Sequence, residues 1–230
     1  MTARYAVYYC PGISSRLYRD GSEWLGYDAA AGTETFPELP ADMTLDGWRT
    51  ATQAPRKYGF HATLKPPFRL ADGADGRALK DAISAFAAAR KPFSAGRLKV
   101  SDLHGFLALT PENAPPELQM LAADCVADLD SFRRPATKAE KDRRRGAGLL
   151  PAQEHNLERW GYPFVMESFR FHMTLTGRLG APVRERLGAA LADRFSEALA
   201  RPVRIDSVCL FVQPTPDSRF ELRERFLFGS

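Results

Sequence analysis

Cysteine is scarce in this chain: the 230 residues hold three, Cys10, Cys125 and Cys209, with more than 80 residues between neighbours. No two form a CxxC or CxxH spacing, so neither a disulfide framework nor a zinc knuckle is encoded. A sparse, odd set of thiols points to a reducing, cytoplasmic setting. No stretch approaches 18 uncharged apolar residues, and Met1–Cys10 lacks a signal-peptide run, so the sequence reads as having no membrane partner. Surplus charge is small: 32 Lys plus Arg against 28 Asp plus Glu leaves +4, too thin for a protein that coats nucleic acid. Histidine occurs at four positions.

The remaining composition, 44% hydrophobic, 11% aromatic and 26% charged, excludes collagen-like, mucin-like and bulk-disordered chains. A chain of this length buries roughly two-thirds of its unfolded surface, so its stability requires no metal or disulfide. It fits one large domain or two small lobes.

Arg4 to Cys10 is rich in Tyr and Val and ends at Pro11-Gly12, which reads as a strand with Tyr5, Tyr8 and Tyr9 contributing core. Short helices are expected over 15–25 and 44–52. Gly59 to Lys65 is an apolar strand, with Pro66-Pro67 as its stop. Leu79, Ile83 and Phe86 mark a helix over 76–90. Strands follow at 98–100 and 106–109, then a helix over 115–132. Thr137-Lys-Ala-Glu140 has the capping-box pattern and opens a helix whose cluster, Lys138 to Arg145, reads as a solvated face, with steering of a phosphate as the alternative. A helix over 151–160, a strand over 169–176, a helix over 182–199 and strands over 203–212 and 220–228 complete the chain. The late strands read as hairpins without crossover helices, which favours α+β with antiparallel sheets.

Two of the four histidines sit in nearly the same pentapeptide, Phe60-His61-Ala62-Thr63-Leu64 and Phe171-His172-Met173-Thr174-Leu175. Chance pairing of four histidines with the twelve threonines would give fewer than one His-x-Thr match. Each copy precedes an amphipathic helix and then a basic-Pro-apolar step, Lys91-Pro92-Phe93 and Arg201-Pro202-Val203. The prolines lie 31 and 30 residues after their histidines. The order strand, helix, hairpin thus occurs twice, the mark of a duplicated, bilobal α+β fold whose antiparallel sheets line a central groove, with helices packed outside. The whole chain, 1–230, reads as one domain of two lobes, about 1–112 and 113–230, between which strands can exchange.

Alternate side chains of a strand leave on one face, roughly 6.5–7 Å apart. His61 and Thr63 therefore share a face, as do His172 and Thr174, with Phe60, Ala62, Leu64 and their counterparts turned to the core. Extending the alternation adds Lys65 to the first set and Arg170 and Thr176 to the second. Hydroxyls with cations form an anion site, and two imidazoles supply an acid and a base. Thr63, Thr174, Arg170 and Lys65 are the candidate phosphate ligands. Tyr58, Lys57, Thr176 and His104 are candidate substrate contacts, although His104, at a strand-to-Gly turn, also suits a turn-stabilising role. His155 falls in a polar helix. Neither repeat carries a carboxylate or thiolate beside its histidine, a poor zinc shell, so no metal is expected.

These residues resemble the 2H phosphoesterase superfamily, which is built on two His-x-Thr/Ser motifs. The blocks Tyr58–Phe68, Leu103–Pro111 and Phe169–Gly177 are similar to its DUF1045 branch, associated with phosphonate-utilisation operons of bacteria. The resemblance covers nearly the whole chain and implies a bilobal fold acting on 2′,3′-cyclic or related cyclic phosphates without metal or other cofactor. It implies His61 and His172 as the catalytic pair and Thr63 and Thr174 as the phosphate-holding hydroxyls, in a monomer acting on a small phosphorylated substrate. Residues 137–160 are an insertion relative to a minimal lobe. Two other readings compete: a cyclic phosphodiesterase or ligase-like protein acting on RNA ends, and a phosphometabolite-binding accessory protein without turnover.

Overall fold

The computed structural model describes residues 3–146 and 148–229. Strand β1 (Arg4–Tyr9) leads through the Pro-Gly turn to helix α1 (Arg16–Leu25), whose N-cap Ser15 hydroxyl accepts the Tyr18 N–H. A short ribbon, β2 (Tyr27–Asp28) and β3 (Thr33–Glu34), precedes α2 (Leu45–Arg56) and β4 (Ala62–Phe68). Then come α3 (Gly76–Ala88), β5 (Phe93–Gly96), β6 (Leu98–Leu103) and β7 (Phe106–Pro111). Helices α4 (Pro116–Asp128), α5 (Lys138–Arg145) and α6 (Pro151–Trp160) follow, then β8 (Met173–Thr174). The chain closes with α7 (Ala181–Arg194), α8 (Ser196–Leu199), β9 (Val203–Ile205), β10 (Ser207–Gln213) and β11 (Glu221–Leu227).

Seven strands form one antiparallel sheet in the order β11-β10-β1-β4-β8-β7-β6, and β5 pairs with β9 apart from it. Outward from the β4–β8 pair the order is symmetric: β1 answers β7, and β10 answers β6. β6 lies beside β7, and β10 lies beside β1. At the centre Ala62 stands opposite Met173, so the two His-x-Thr segments cross at their middle residues. The segments after the two basic-Pro steps also meet, Phe93 opposite Ile205 and Gly96 opposite Val203.

Alternation along the strands sorts the two faces. Val7, Tyr9, Leu64, Leu109, Met173 and Leu210 form the main core with Leu79 and Ile83 of α3, Leu118 and Leu121 of α4, and Leu187 and Leu191 of α7. Each such side chain contributes about 1.5–3 kcal/mol of hydrophobic burial. On the other face Ala6, Tyr8, Cys209, Phe211 and Phe220 pack with Tyr18 of α1 and Tyr27 of β2. That second layer stops short of the β4–β8 crossing, which leaves a hollow on that face.

The helix expected over 182–199 breaks at Phe195 into α7 and α8, and three expected strands also differ. The first strand does not stop at Pro66-Pro67; β4 runs to Phe68, with register shifts against β1 that accommodate residues lacking an N–H. The strand expected over 169–176 is paired at Met173–Thr174 alone. The strand expected over 203–212 breaks at Asp206 into β9 and β10, which belong to different sheets. Among the described residues no helix is long and apolar enough to cross a membrane.

Candidate active site

The first pentapeptide is pinned before its histidine begins. Gly59 sits at φ +75, a conformation that favours glycine, and an added Cβ would come within 2.6 Å of the Ala29 Cβ. Phe60 is fully buried against Gly21 of α1, where an added Cβ would lie 2.3 Å from the Phe60 ring. These two contacts turn His61 toward the hollow. Its Nδ1 donates to the Gly59 carbonyl at 2.9 Å, which leaves Nε2 with its lone pair 3.1 Å from the Thr63 hydroxyl. The imidazole lies flat on the Tyr8 ring, centroids 3.7 Å apart.

The second pentapeptide repeats the arrangement. Phe171 is buried, and His172 Nδ1 donates at 2.7 Å to the Arg170 carbonyl, again two residues back. Phe106 of β7 stands against this ring at 5.9 Å. The β8 end is fixed by the Thr176 hydroxyl, which accepts the Leu107 N–H, and by the Trp24 indole, which donates to the Leu175 carbonyl, both at 2.9 Å.

His61, Thr63, His172, Thr174, Thr176 and Tyr58 all line one cavity of about 500 Å³. That volume lies within the range of small-molecule sites. The remaining candidates are elsewhere. Lys65 is the main correction, and the β1 ladder gives the reason. Tyr9 faces Ala62 and Tyr8 faces Thr63, but Val7 faces Lys65, so Leu64 is an extra residue that breaks the alternation. The Lys65 ammonium is carried under α4, 2.9 Å from the Val126 carbonyl and 3.4 Å from Asp130. Arg170 precedes the paired part of β8 and donates to the Glu167 and Phe169 carbonyls at the surface. Lys57 is held at 2.8 Å by the Pro216 carbonyl. His104 occupies the exposed β6–β7 turn at φ 53, away from the cavity.

The cations that line the cavity are Arg4 from β1 and Arg178 after β8, which the sequence did not single out, and Arg144 from the basic cluster of α5. Arg4 Nε donates to Gln213 at 2.6 Å, and the Arg144 guanidinium lies 4.6 Å over the Tyr162 ring. Tyr8 and Tyr162 complete the wall. Among the described lining residues there is no carboxylate and no thiol. The Tyr8 hydroxyl and the Arg144 Nε are buried without a hydrogen-bond partner among the described residues. The unsatisfied Tyr8 hydroxyl and three guanidiniums, one of them with an unsatisfied Nε–H, make a site that favours an anion.

Both imidazoles are held neutral at pH 7. Desolvation by burial lowers the His61 pKa from 6.5 to about 4, against the Gly59 carbonyl bond, with His172 lowering it further. Burial lowers His172 as well, against the Arg170 carbonyl. Desolvation raises the Tyr8 phenol, so it stays protonated as a donor. The His61 shift has a stability consequence. Between pH 6.5 and 4 the unfolded chain binds a proton that the folded chain refuses, so stability present above pH 6.5 is lost as pH falls toward 4. The expected loss is on the order of 2–3 kcal/mol. Melting curves from pH 7 to 4.5 should fall more steeply for the wild type than for His61→Gln; equal slopes would contradict the assignment.

Comparison with known proteins gives relatives for this chain and a fold. A family model described as a protein of unknown function (DUF1045) matches residues 63–221, a span containing Thr63 and the whole second pentapeptide. A ribose 1,5-bisphosphate phosphokinase PhnN from Janthinobacterium sp. (strain Marseille) is 37% identical over 235 residues, covering 98% of this chain and 51% of that protein. One of the same description from Laribacter hongkongensis (strain HLHK9) is 35% identical over 220 residues, covering 95% and 50%. The chain thus spans about half the length of these curated relatives. Among solved structures, E. coli LigT complexed with NADP+ superposes with a TM-score of 0.50 at 10% identity over 100% of both chains.

Proposed function

Because the chain belongs to the DUF1045 family and shares the fold of LigT, we propose that it is a metal-independent phosphodiesterase that hydrolyses a cyclic phosphate of a small nucleotide or sugar. The observation that carries this reading is the matched pair of imidazoles. Each is anchored at Nδ1 by the carbonyl two residues back, and each lines the same arginine-rich cavity with its own threonine. A site that only bound a phosphate would have no use for two neutral bases tethered alike. The resemblance to 2H phosphoesterases and to a phosphonate-utilisation role agrees with it. The kinase activity in the relatives' names belongs to proteins of which this chain spans half, and is not carried over.

The chemistry needs one base and one acid. The cyclic diester brings a negative charge against His61 and His172, which raises their pKa and lets one of them take up a proton. His61, stacked on Tyr8 and pushed down to about 4, suits the base, with His172 as the acid. The base removes a proton from water as the water oxygen forms a bond to phosphorus. The bond to the opposite ring oxygen breaks in line, and the acid delivers its proton there. Thr63 and Thr174 donate to the non-bridging oxygens, and the arginines offset the charge that develops on them. The product is a phosphomonoester, and proton exchange with water resets the pair.

The direct test is incubation of the protein with a panel of cyclic phosphates in the presence of EDTA. Turnover that survives chelation is expected; absence of turnover on every member would overturn the reading. Thr63→Val and Thr174→Val should each lower kcat by about 10²-fold or more, as loss of one transition-state donor does elsewhere. A rise in KM alone would assign these hydroxyls to ground-state binding instead.

A further inference from the structure

The cavity described above is joined by a second one of about 290 Å³, and the two share Arg4, Pro67 and Arg144. Six arginines line the second cavity, Arg4, Arg69, Arg133, Arg134, Arg143 and Arg144, against one carboxylate, Glu140. That carboxylate is already committed: it lies 3.1 Å from Arg69 and 3.9 Å from Arg134, and its other oxygen accepts the Thr137 N–H of the capping box. Arg133 is held by Asp130 through two bonds of 2.7 and 3.1 Å. Arg4, Arg143 and Arg144 have no carboxylate within ion-pair distance among the described residues. Arg144, at the junction, is also the arginine whose buried Nε lacks a partner.

An unbalanced cluster of guanidiniums repels itself, and its members are desolvated without return unless an anion completes it. A single cyclic phosphate held by His61, Thr63, His172 and Thr174 does not supply that anion, because none of these four residues lines the second cavity. Two basic hollows that meet at shared arginines match a molecule with two separated anionic groups. The second hollow is small and walled by α5 and the Gly161 turn, which suits a terminal group more than a continuing chain.

We propose that the substrate carries a second, terminal phosphate, held by Arg143, Arg144 and Arg4 while the cyclic phosphate lies between the histidines. This rests on the cyclic-phosphate reading for the identity of the first group but not for the existence of the second site. Arg143 lines the second cavity alone, so its hold on the second phosphate is made away from the reacting atoms, while Arg4 and Arg144 reach both cavities. Binding energy far from the chemistry then becomes available for orientation at the diester.

The test is equilibrium binding by calorimetry at fixed salt, using adenosine 2′-monophosphate and adenosine 2′,5′-bisphosphate as probes. The added 5′-phosphate should tighten binding by roughly 30-fold in the wild type, the scale of one to two charge-assisted hydrogen bonds. Arg143→Ala, a surface change at the one proposed contact that lines the second cavity alone, should bring the ratio most of the way toward one. Arg143→Lys should keep part of it. A ratio near one in the wild type, or failure of both probes to bind, would overturn the proposal. Tighter binding of an oligoribonucleotide with a 2′,3′-cyclic end than of the bisphosphate would overturn it too, by placing a polymer backbone along the arginines. Because binding is read without turnover, a 30-fold ratio in a protein that cleaves no cyclic phosphate would sustain the second site while the catalytic reading fails.

Discussion

His61→Ala and His172→Ala are each expected to lower turnover of a cyclic phosphate by about 10³-fold, the usual scale of a lost general acid or base. Both rings face the cavity, and the groups that fold their segments, Phe60 and Phe171, are untouched, so the melting temperature should stay close to that of the wild type. His61→Asn and His172→Asn serve as polar controls for any cavity left beside Tyr8. If the pair acts as a unit, the double variant should be little worse than either single one. Activity within a few-fold of wild type in either single variant would remove that histidine from the chemistry. The pH profile carries a further sign: His61→Asn should abolish the acid limb assigned to the base, and His172→Asn the alkaline limb.

The second large effect lies in stability and concerns Lys65. Its ammonium is 2% exposed, donates to the Val126 carbonyl and faces Asp130. Lys65→Ala strands that carbonyl and leaves Asp130 to Arg133 alone, with an expected loss of about 3 kcal/mol. For a chain of this size the melting temperature should fall by roughly 6–12 °C. Turnover by the protein that remains folded should be nearly unchanged, since the side chain is turned away from the cavity. Lys65→Met keeps the packed stem and should recover part of the stability. A variant that melts normally but loses activity would return Lys65 to the site and contradict the register of β4.

The contrast between Lys65 and Thr63 shows how far the sequence could be read. Period-two alternation placed His61 with Thr63 and His172 with Thr174, because two residues are too short a run for a bulge to intervene. One step further the rule failed, since Leu64 is accommodated as an extra residue and no local pattern announces it. Arg170 failed for a related reason: alternation holds only while a strand is paired, and pairing begins at Met173. The helices at 16–25, 76–88 and 151–160 were legible because their caps and apolar spacing are local. Arg4, Arg144 and Arg178 were not, because they reach one cavity from β1, from a helix that reads first as a solvated face, and from a loop. Convergence of that kind depends on tertiary pairing, and only the duplication hinted at it by implying that the two pentapeptides meet.

The pairing of β1 with β10 also dictates an order of assembly. β1 carries the ring that supports His61, yet one of its flanks is covered by β10, and Arg4 is tied to Gln213 across 209 residues of chain. During synthesis that flank stays bare until β10 has left the ribosome, and closure of so long a loop is slow. The nascent protein therefore holds an unpaired strand edge at the very strand on which His61 stacks.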